Sequence, residues 1–487
     1  MFSFFPVFLC LAAAIESGDL PSQVKKFVDV LALLEQEAAE PVSSYRAVYE
    51  GAIPGMLRTL DPHSVFFDPG QFDQLKELQS STRKGFGSVV SVLPGRVIVL
   101  QTLPGTPSAK AGMMAGDQIV AINGIRLDYL DIEQLIGLLS ESRRRQVSLD
   151  VRRTGNARIQ HLVLTPEEMQ SPSVERAFLL EPGIGYVRVT SFDTETGSQI
   201  RQAIERLGGA SLTGMVLDLR DNPGGVLPAA LETASLFLEP GRNLLSVKGR
   251  SVTGEQMKVS DVAKPYRFLV AVLLNGKSAS ASEIVAGALQ DYRRAAIVGE
   301  PSFGKGLVES VYPLSGGAGL ALTTAFYYTP SGRSIQRPLP GTQLDAATRA
   351  GDGGIKPDFP VWPEGHTRLG AVLDATGSFA TYATIFLQKH GPIKKGFELT
   401  PEILDDFQGF LAQRNIQPGV SDWSRERAWI ESRLKQEIAN QGLGVEAGDE
   451  IEAQRDPQIQ KAVQVIRDAE KPTTPPLKAA AVSASGR

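Results

Sequence analysis

Residues 275–287, NGKSASASEIVAG, set Ser278, Ser280 and Ser282 on alternate positions between an Asn-Gly turn and an apolar run with helical spacing. A hydroxyl at a helix start meets free N–H groups and the positive end of the dipole, which can stabilise a developing oxyanion. A serine nucleophile also needs a base. The four histidines, His63, His161, His366 and His390, all fall outside 183–360, where strands alternate with helices, and no G-x-S-x-G elbow occurs. No paired-histidine or H-E-x-x-H spacing for zinc is present either, and each histidine reads as structural. Lysine is the remaining base, and it works only when neutral, a state that apolar surroundings favour. Lys305, between two glycines in GEPSFGKG just after the apolar run AAIVGE, is that lysine. In a parallel sheet, Ser280 and Lys305 would both follow carboxyl ends of strands and open on one edge.

Two other readings of these residues stand beside this one. Ser280-x-x-Glu283 fits a capping box, in which Ser280 or Ser282 does no more than cap the helix. Gly299-x-x-x-x-Gly304-Lys305 approaches a phosphate-binding loop, but Gly306 stands where magnesium needs Ser or Thr, and LVESVYPL continues as a strand where a helix should start. Ser81-x-x-Lys84 lacks the S-D-N and K-T-G partners of penicillin-recognising enzymes.

The elements needed to position these groups are legible around them. GYVRVTSF, TGSQIRQAIERL, GMVLDLR, LPAALETASLFL, RFLVAVLLN, SEIVAGALQDYR and AAIVGE alternate strand and helix, which predicts a largely parallel sheet covered by helices. Lys84–Thr165 reads as a small β-rich module with one amphipathic helix at 131–141 and a hairpin at Asn123-Gly124. Residues 22–80 and the chain beyond Pro360 carry helical periodicity, whereas KPTTPPLKAAAVSASGR has too few bulky apolar residues to fold.

The 487 residues suggest about three domains. A formal net charge of -4 gives no electrostatic footprint for nucleic acid. The first residues, FSFFPVFLCLAAAI, are short for a membrane span and suit a signal peptide or an anchor, although no basic n-region precedes them. The only cysteine, Cys10, lies inside that stretch, so a cleaved product has no disulfide and no thiolate chemistry.

SASASEIVAGALQD, the step from Ser280 to Lys305 within GEPSFGKG, and LDLRDNPGG at 217–225 together resemble the carboxyl-terminal processing, or tail-specific, proteases. LDPHSVFF, YYTPSGRSIQ and GIKPDF are similar to further blocks of that family. The resemblance implies an α/β fold: a crotonase-like serine protease core with an inserted β-rich PDZ domain and helical N- and C-terminal segments. The implied division is a signal peptide or anchor at 1–18, a helical segment at 19–83, the PDZ domain at 84–165, the protease core at 166–366, a helical region at 367–470 and a disordered tail at 471–487.

By motif, Ser280 is the nucleophile and Lys305 the general base, with the amides of Gly225 and Ala281 as oxyanion hole and Glu283 and Asp291 in support. The family often carries glutamine, hydrogen-bonded to the lysine, four residues after it, and the match makes Glu309 the third catalytic member here; its carboxylate would favour the charged ammonium and oppose the base role unless it is protonated or turned away. Gly85, Phe86, Gly87, Ser88 and Val89 occupy the place of the loop that holds a terminal carboxylate, beside which an extended apolar tail could add as a strand. The expected protein is thus an exported endopeptidase of the bacterial periplasm or envelope that acts on protein C-terminal tails without metal or nucleotide. An adaptor or activator protein and a homodimer are the partners implied. The alternative is a PDZ adaptor with an impaired catalytic core.

Overall fold

The computed structural model describes residues 19–78, 82–153, 158–252, 254–349, 353–365 and 367–470. Residues 1–18, expected to be a signal peptide or anchor, His366, and residues 471–487, expected to be a disordered tail, lie outside them. The chain forms two compact units, a smaller one of Met1–Phe72, Glu309–Thr323 and Leu339–Arg349, and a larger one of Asp73–Val308, Thr324–Pro338 and Ala350–Arg487.

In the smaller unit the helices Leu20–Glu37 and Ile53–Leu60 precede the strand Val65–Phe67, which pairs antiparallel with the start of the strand Gly319–Tyr328 through Val65↔Ala321 and Phe67↔Gly319. LDPHS makes the turn between helix and strand. The buried Asp61 carboxylate accepts the amides of His63 at 2.7 Å and Ser64 at 2.9 Å, and the Ser64 hydroxyl at 2.8 Å.

The centre of the larger unit is a six-stranded sheet in chain order: Val174–Glu181, Ile184–Val189, Gly214–Asp218, Leu269–Leu274, Ala295–Gly299 and Phe359–Pro360. Only the first pair is antiparallel. Side chains alternate across it. Val187, Val189, Met215, Leu217 and Val272 pack under the helices Thr196–Leu207, Leu227–Ser235 and Ala281–Asp291, while Tyr186, Val216, Ala271, Leu273 and Val298 meet Ile459, Ala462 and Val463 of the helix Pro457–Glu470. Burial on both faces is why these strands are almost unbroken apolar runs. The alternation of strand and helix does not announce the antiparallel strands Asn243–Gly249 and Glu255–Lys258, which join the end of Gly319–Tyr328 through Gly249↔Ala325 and Ser246↔Tyr328.

The β-rich module is a second six-stranded sheet, with Ser88–Leu93 at one edge, then Arg96–Thr102, Gln118–Ile122, Val147–Arg152 and Ile159–Leu164, and Ile125–Arg126 hairpinned to Gln118–Ile122. Asn123 at φ 50° and Gly124 at φ 77° make that hairpin's turn, as their sequence predicts. The helix Ile132–Ser142 opens on a complete capping box between Asp131 and Gln134 and seals the module's core with Leu135. The helices Ser378–His390, Pro401–Gln413 and Val420–Gly442 enclose a core of Phe379, Tyr382, Phe407 and Ile430. The Arg96 guanidinium donates to the Thr376 carbonyl, and Gln101 accepts the Val445 amide at 3.2 Å, which ties the module to this helical region. Among the described residues no helix is long and apolar enough to cross a membrane.

Candidate active site

Two loops at the carboxyl ends of the parallel strands carry the predicted chemistry. The first follows Leu269–Leu274. Its Ser278 hydroxyl accepts the Asn275 amide at 3.0 Å and donates to the Leu219 carbonyl at 2.8 Å, and the Ser282 hydroxyl donates to the Asn222 carbonyl at 3.0 Å. Both serines are fully buried and stitch this turn to LDLRDNPGG. Ser280, between them, is half-buried and stands at φ 53°, ψ −111°, a left-handed conformation that a non-glycine residue keeps only under restraint. The helix Ala281–Asp291 opens on the capping box that Ser280-x-x-Glu283 suggests, and the Glu283 amide also donates to the Ser280 carbonyl at 2.8 Å.

LDLRDNPGG leaves the strand Gly214–Asp218 with Asp218 fully buried against Arg220, 2.6 Å, and the Tyr186 hydroxyl, 2.7 Å. Asn222 then fixes the loop, donating to the Val189 carbonyl at 2.9 Å and accepting the Gly224 amide at 2.8 Å. Gly224 has φ 100°, and a Cβ there would lie 2.8 Å from the Ala279 carbonyl oxygen, 2.9 Å from the Ser280 Cβ and 3.0 Å from the Ala281 nitrogen. At Gly225 a Cβ would be 1.9 Å from the Phe192 carbonyl oxygen. The pair therefore keeps the space beside Ser280 open. Among the described residues the amides of Gly225 and Ala281 donate to no protein acceptor.

The second loop follows Ala295–Gly299 and carries Lys305, half-buried rather than enclosed. Its shape is imposed by Glu283, whose fully buried carboxylate accepts the Ser302 hydroxyl at 2.5 Å and the Gly304 amide at 2.7 Å on one oxygen, and the amides of Ser280 at 2.8 Å and Lys305 at 2.9 Å on the other. Burial pushes the Glu283 pKa up, opposed by these four donors. Two features were not singled out in the sequence. Gln336 is buried and accepts the Gly306 amide at 2.8 Å, and the Ser302 hydroxyl also accepts the Ile355 amide at 2.7 Å. Ser280-x-x-Glu283 is thus the capping box read from the sequence, and its carboxylate also takes donors from residues 302–305 that only the fold reveals.

Asp291 ends the helix that Ser280 precedes, about 16 Å from its start. It accepts the Ser331 amide at 2.8 Å and Arg333 at 2.6 Å and so anchors YYTPSGRSIQ. Burial raises its pKa, but hydrogen bonds from Thr329, Ser331 and Arg333 bring it below the usual carboxylate value. Glu309 lies half-buried in the strand Leu307–Pro313, within the smaller unit.

In the β-rich module Gly85 ends the strand Thr82–Gly85, and Phe86 packs on the module's core. Gly87, at φ 75°, gives its carbonyl to the Leu103 amide at 2.8 Å and faces Thr106 so closely that a Cβ would lie 2.2 Å away. Ser88 and Val89 begin the edge strand. Ile132 and Ile136, one turn apart on the module's helix, are 44% and 52% exposed.

A parallel-sheet core that presents a strained serine beside a lysine loop, together with a PDZ-like sheet, describes a peptidase, and the comparisons agree. Residues 183–361 match peptidase family S41, and residues 98–153 match the PDZ domain family. The chain is 36% identical over 326 residues to the carboxy-terminal-processing protease of Bartonella bacilliformis, covering 64% of this chain and 73% of that one. It is 34% identical over 311 residues to the carboxyl-terminal-processing protease of Synechocystis sp., 63% of this chain and 72% of that one. CtpA, a carboxy-terminal processing protease of Bacillus subtilis, is 31% identical over 291 residues, 59% and 61% of the two chains. The chain belongs to the carboxyl-terminal processing protease family of S41 peptidases.

Proposed function

We propose that the protein is a serine endopeptidase that captures the C-terminal tail of a protein through its PDZ domain and hydrolyses a peptide bond near that tail. Ser280 Oγ attacks the scissile carbonyl as its proton passes to neutral Lys305 Nζ. The resulting oxyanion is received by the amides of Gly225 and Ala281. Collapse breaks the C–N bond, the Lys305 ammonium returns the proton to the departing amine, and an acyl ester remains on Ser280. Water, deprotonated by the same lysine, releases the acid and restores the serine. The observation that carries this reading is the shared acceptor: one oxygen of Glu283 holds the main chains of nucleophile and base together.

The tail would add beside the edge strand Ser88–Leu93, its carboxylate at residues 85–89 and its apolar side chains over Ile132 and Ile136. An exported location fits the apolar leader and the bacterial relatives. Ser280→Ala and Lys305→Ala are expected to abolish cleavage of an unfolded substrate while tail binding survives. A wild-type protein that binds tails and never cleaves would instead be an adaptor.

A further inference from the structure

Glu283 restrains Ser280 and Lys305 through their amides, and a second buried side chain meets both on the carbonyl side. Tyr327, next to last in the strand Gly319–Tyr328, is 3% exposed. Its hydroxyl lies 3.2 Å from the Ser280 carbonyl oxygen and also donates to the Lys305 carbonyl. Its backbone is itself fixed, because its amide donates to the Gly306 carbonyl at 3.0 Å and Val247 pairs opposite it.

We propose that Tyr327 is a positioning residue of this peptidase, one that sets the separation of Ser280 and Lys305 by drawing their carbonyls onto a single hydroxyl. The proposal rests on the serine-lysine reading above. Ser280 is the point of leverage, because its φ of 53° persists only where the surroundings over-determine it. Glu283 holds the N–H before the strained Cα, and the C=O after it, already taken by the Glu283 and Ile284 amides at 2.8 and 3.0 Å, is the atom that Tyr327 joins to the Lys305 loop. With the hydroxyl gone, the Lys305 carbonyl loses its tie to the Ser280 carbonyl, and the lysine loop can shift relative to the serine. Misplacement on the order of 1 Å is enough to slow a reaction severely. Tyr327 meets the two residues through their carbonyls, so its effect belongs on the chemical step and not on substrate affinity.

The test uses the full chain and an unfolded reporter protein. Tyr327→Phe keeps the ring and removes only the hydroxyl. It is expected to lower kcat about tenfold with KM changed by less than about twofold. The pH of half-maximal kcat should move, and labelling of Ser280 by a fluorophosphonate should slow in parallel. Val247→Ala, which loosens packing beside the ring and spares the hydroxyl, should lower the melting temperature and leave kcat and the pH midpoint in place. An unchanged kcat and pH midpoint in Tyr327→Phe, or a kcat loss in Val247→Ala that matches it, overturns the proposal. If Lys305→Ala remains fully active, the serine-lysine reading itself falls. If Lys305→Ala is inert while Tyr327→Phe behaves as wild type, only the role of Tyr327 falls.

Discussion

Ser280 and Lys305 are separated by a helix and a strand in sequence, yet their amides donate to the same atom, Glu283 Oε2, at 2.8 and 2.9 Å. The two nitrogens are therefore no more than about 6 Å apart. A carboxylate accepts at both oxygens, and all four of its donors come from the two loops that carry Ser280 and Lys305.

Glu283→Gln places an N–H₂ group where two donors already point. Each buried donor left without an acceptor costs about 1–3 kcal/mol. The variant should melt well below wild type and lose on the order of 100-fold in kcat. Calorimetry and steady-state kinetics measure both, and wild-type values would remove Glu283 from its organising role.

Only one of the three alternating serines should react. A fluorophosphonate is expected to label Ser280 alone, with the site read by peptide mass spectrometry. Ser278→Ala should cost about 1–2 kcal/mol of stability, because the Asn275 amide and the Leu219 carbonyl lose their partner. It should keep its reactivity at Ser280. Labelling at Ser278 or Ser282 would reverse the assignment.

Gly224→Ala pushes a methyl into the space between the Ser280 Cβ and the Ala281 amide, at a φ of 100° that alanine resists. A fall in kcat on the order of 100-fold is expected, comparable with loss of an oxyanion donor. Near-normal turnover would show that the carbonyl of the substrate sits elsewhere.

A base that works only when uncharged makes the rate climb with pH. Cleavage that stays flat from about pH 5 to 9 would exclude lysine from the proton transfer. Stability should respond in acid. The Asp291 pKa is lowered in the fold, so its contribution is present above the ordinary carboxylate value of about 4 and is lost as pH falls through the folded pKa. Asp291→Asn should therefore be less stable at neutral pH, by about 2 kcal/mol, and should lose less than wild type on acidification. Parallel acid unfolding curves for the two proteins would refute this.

Ile136→Asp places a charge on the exposed face of the module's helix. Affinity for a peptide with an apolar C-terminus should fall about tenfold, while hydrolysis of a short peptide too small to reach the PDZ domain is unaffected. Fluorescence anisotropy measures the first, and equal binding by both proteins would place the tail site elsewhere.

Much of this was readable in the chain itself. The unbroken apolar runs around 184–189, 214–218, 269–274 and 295–299 declare strands buried on both faces, and Asn123-Gly124 declares its hairpin, because periodicity and turn chemistry are local. Ser280, Lys305 and the glycines of LDLRDNPGG were likewise visible as residue types in recurrent motifs. The antiparallel strands Asn243–Gly249 and Glu255–Lys258 were not, since the first buries Leu244, Leu245 and Val247 without regular alternation and the second is mostly exposed, so both carry a weak pattern. Nor did residue types show that Ser278 and Ser282 are ties, that Glu283 takes four donors, or that Gln336 and Tyr327 bond to the loop of Lys305. Those roles depend on which groups meet across long stretches of chain, and a side chain's hydrogen-bond partners are decided by its position in space.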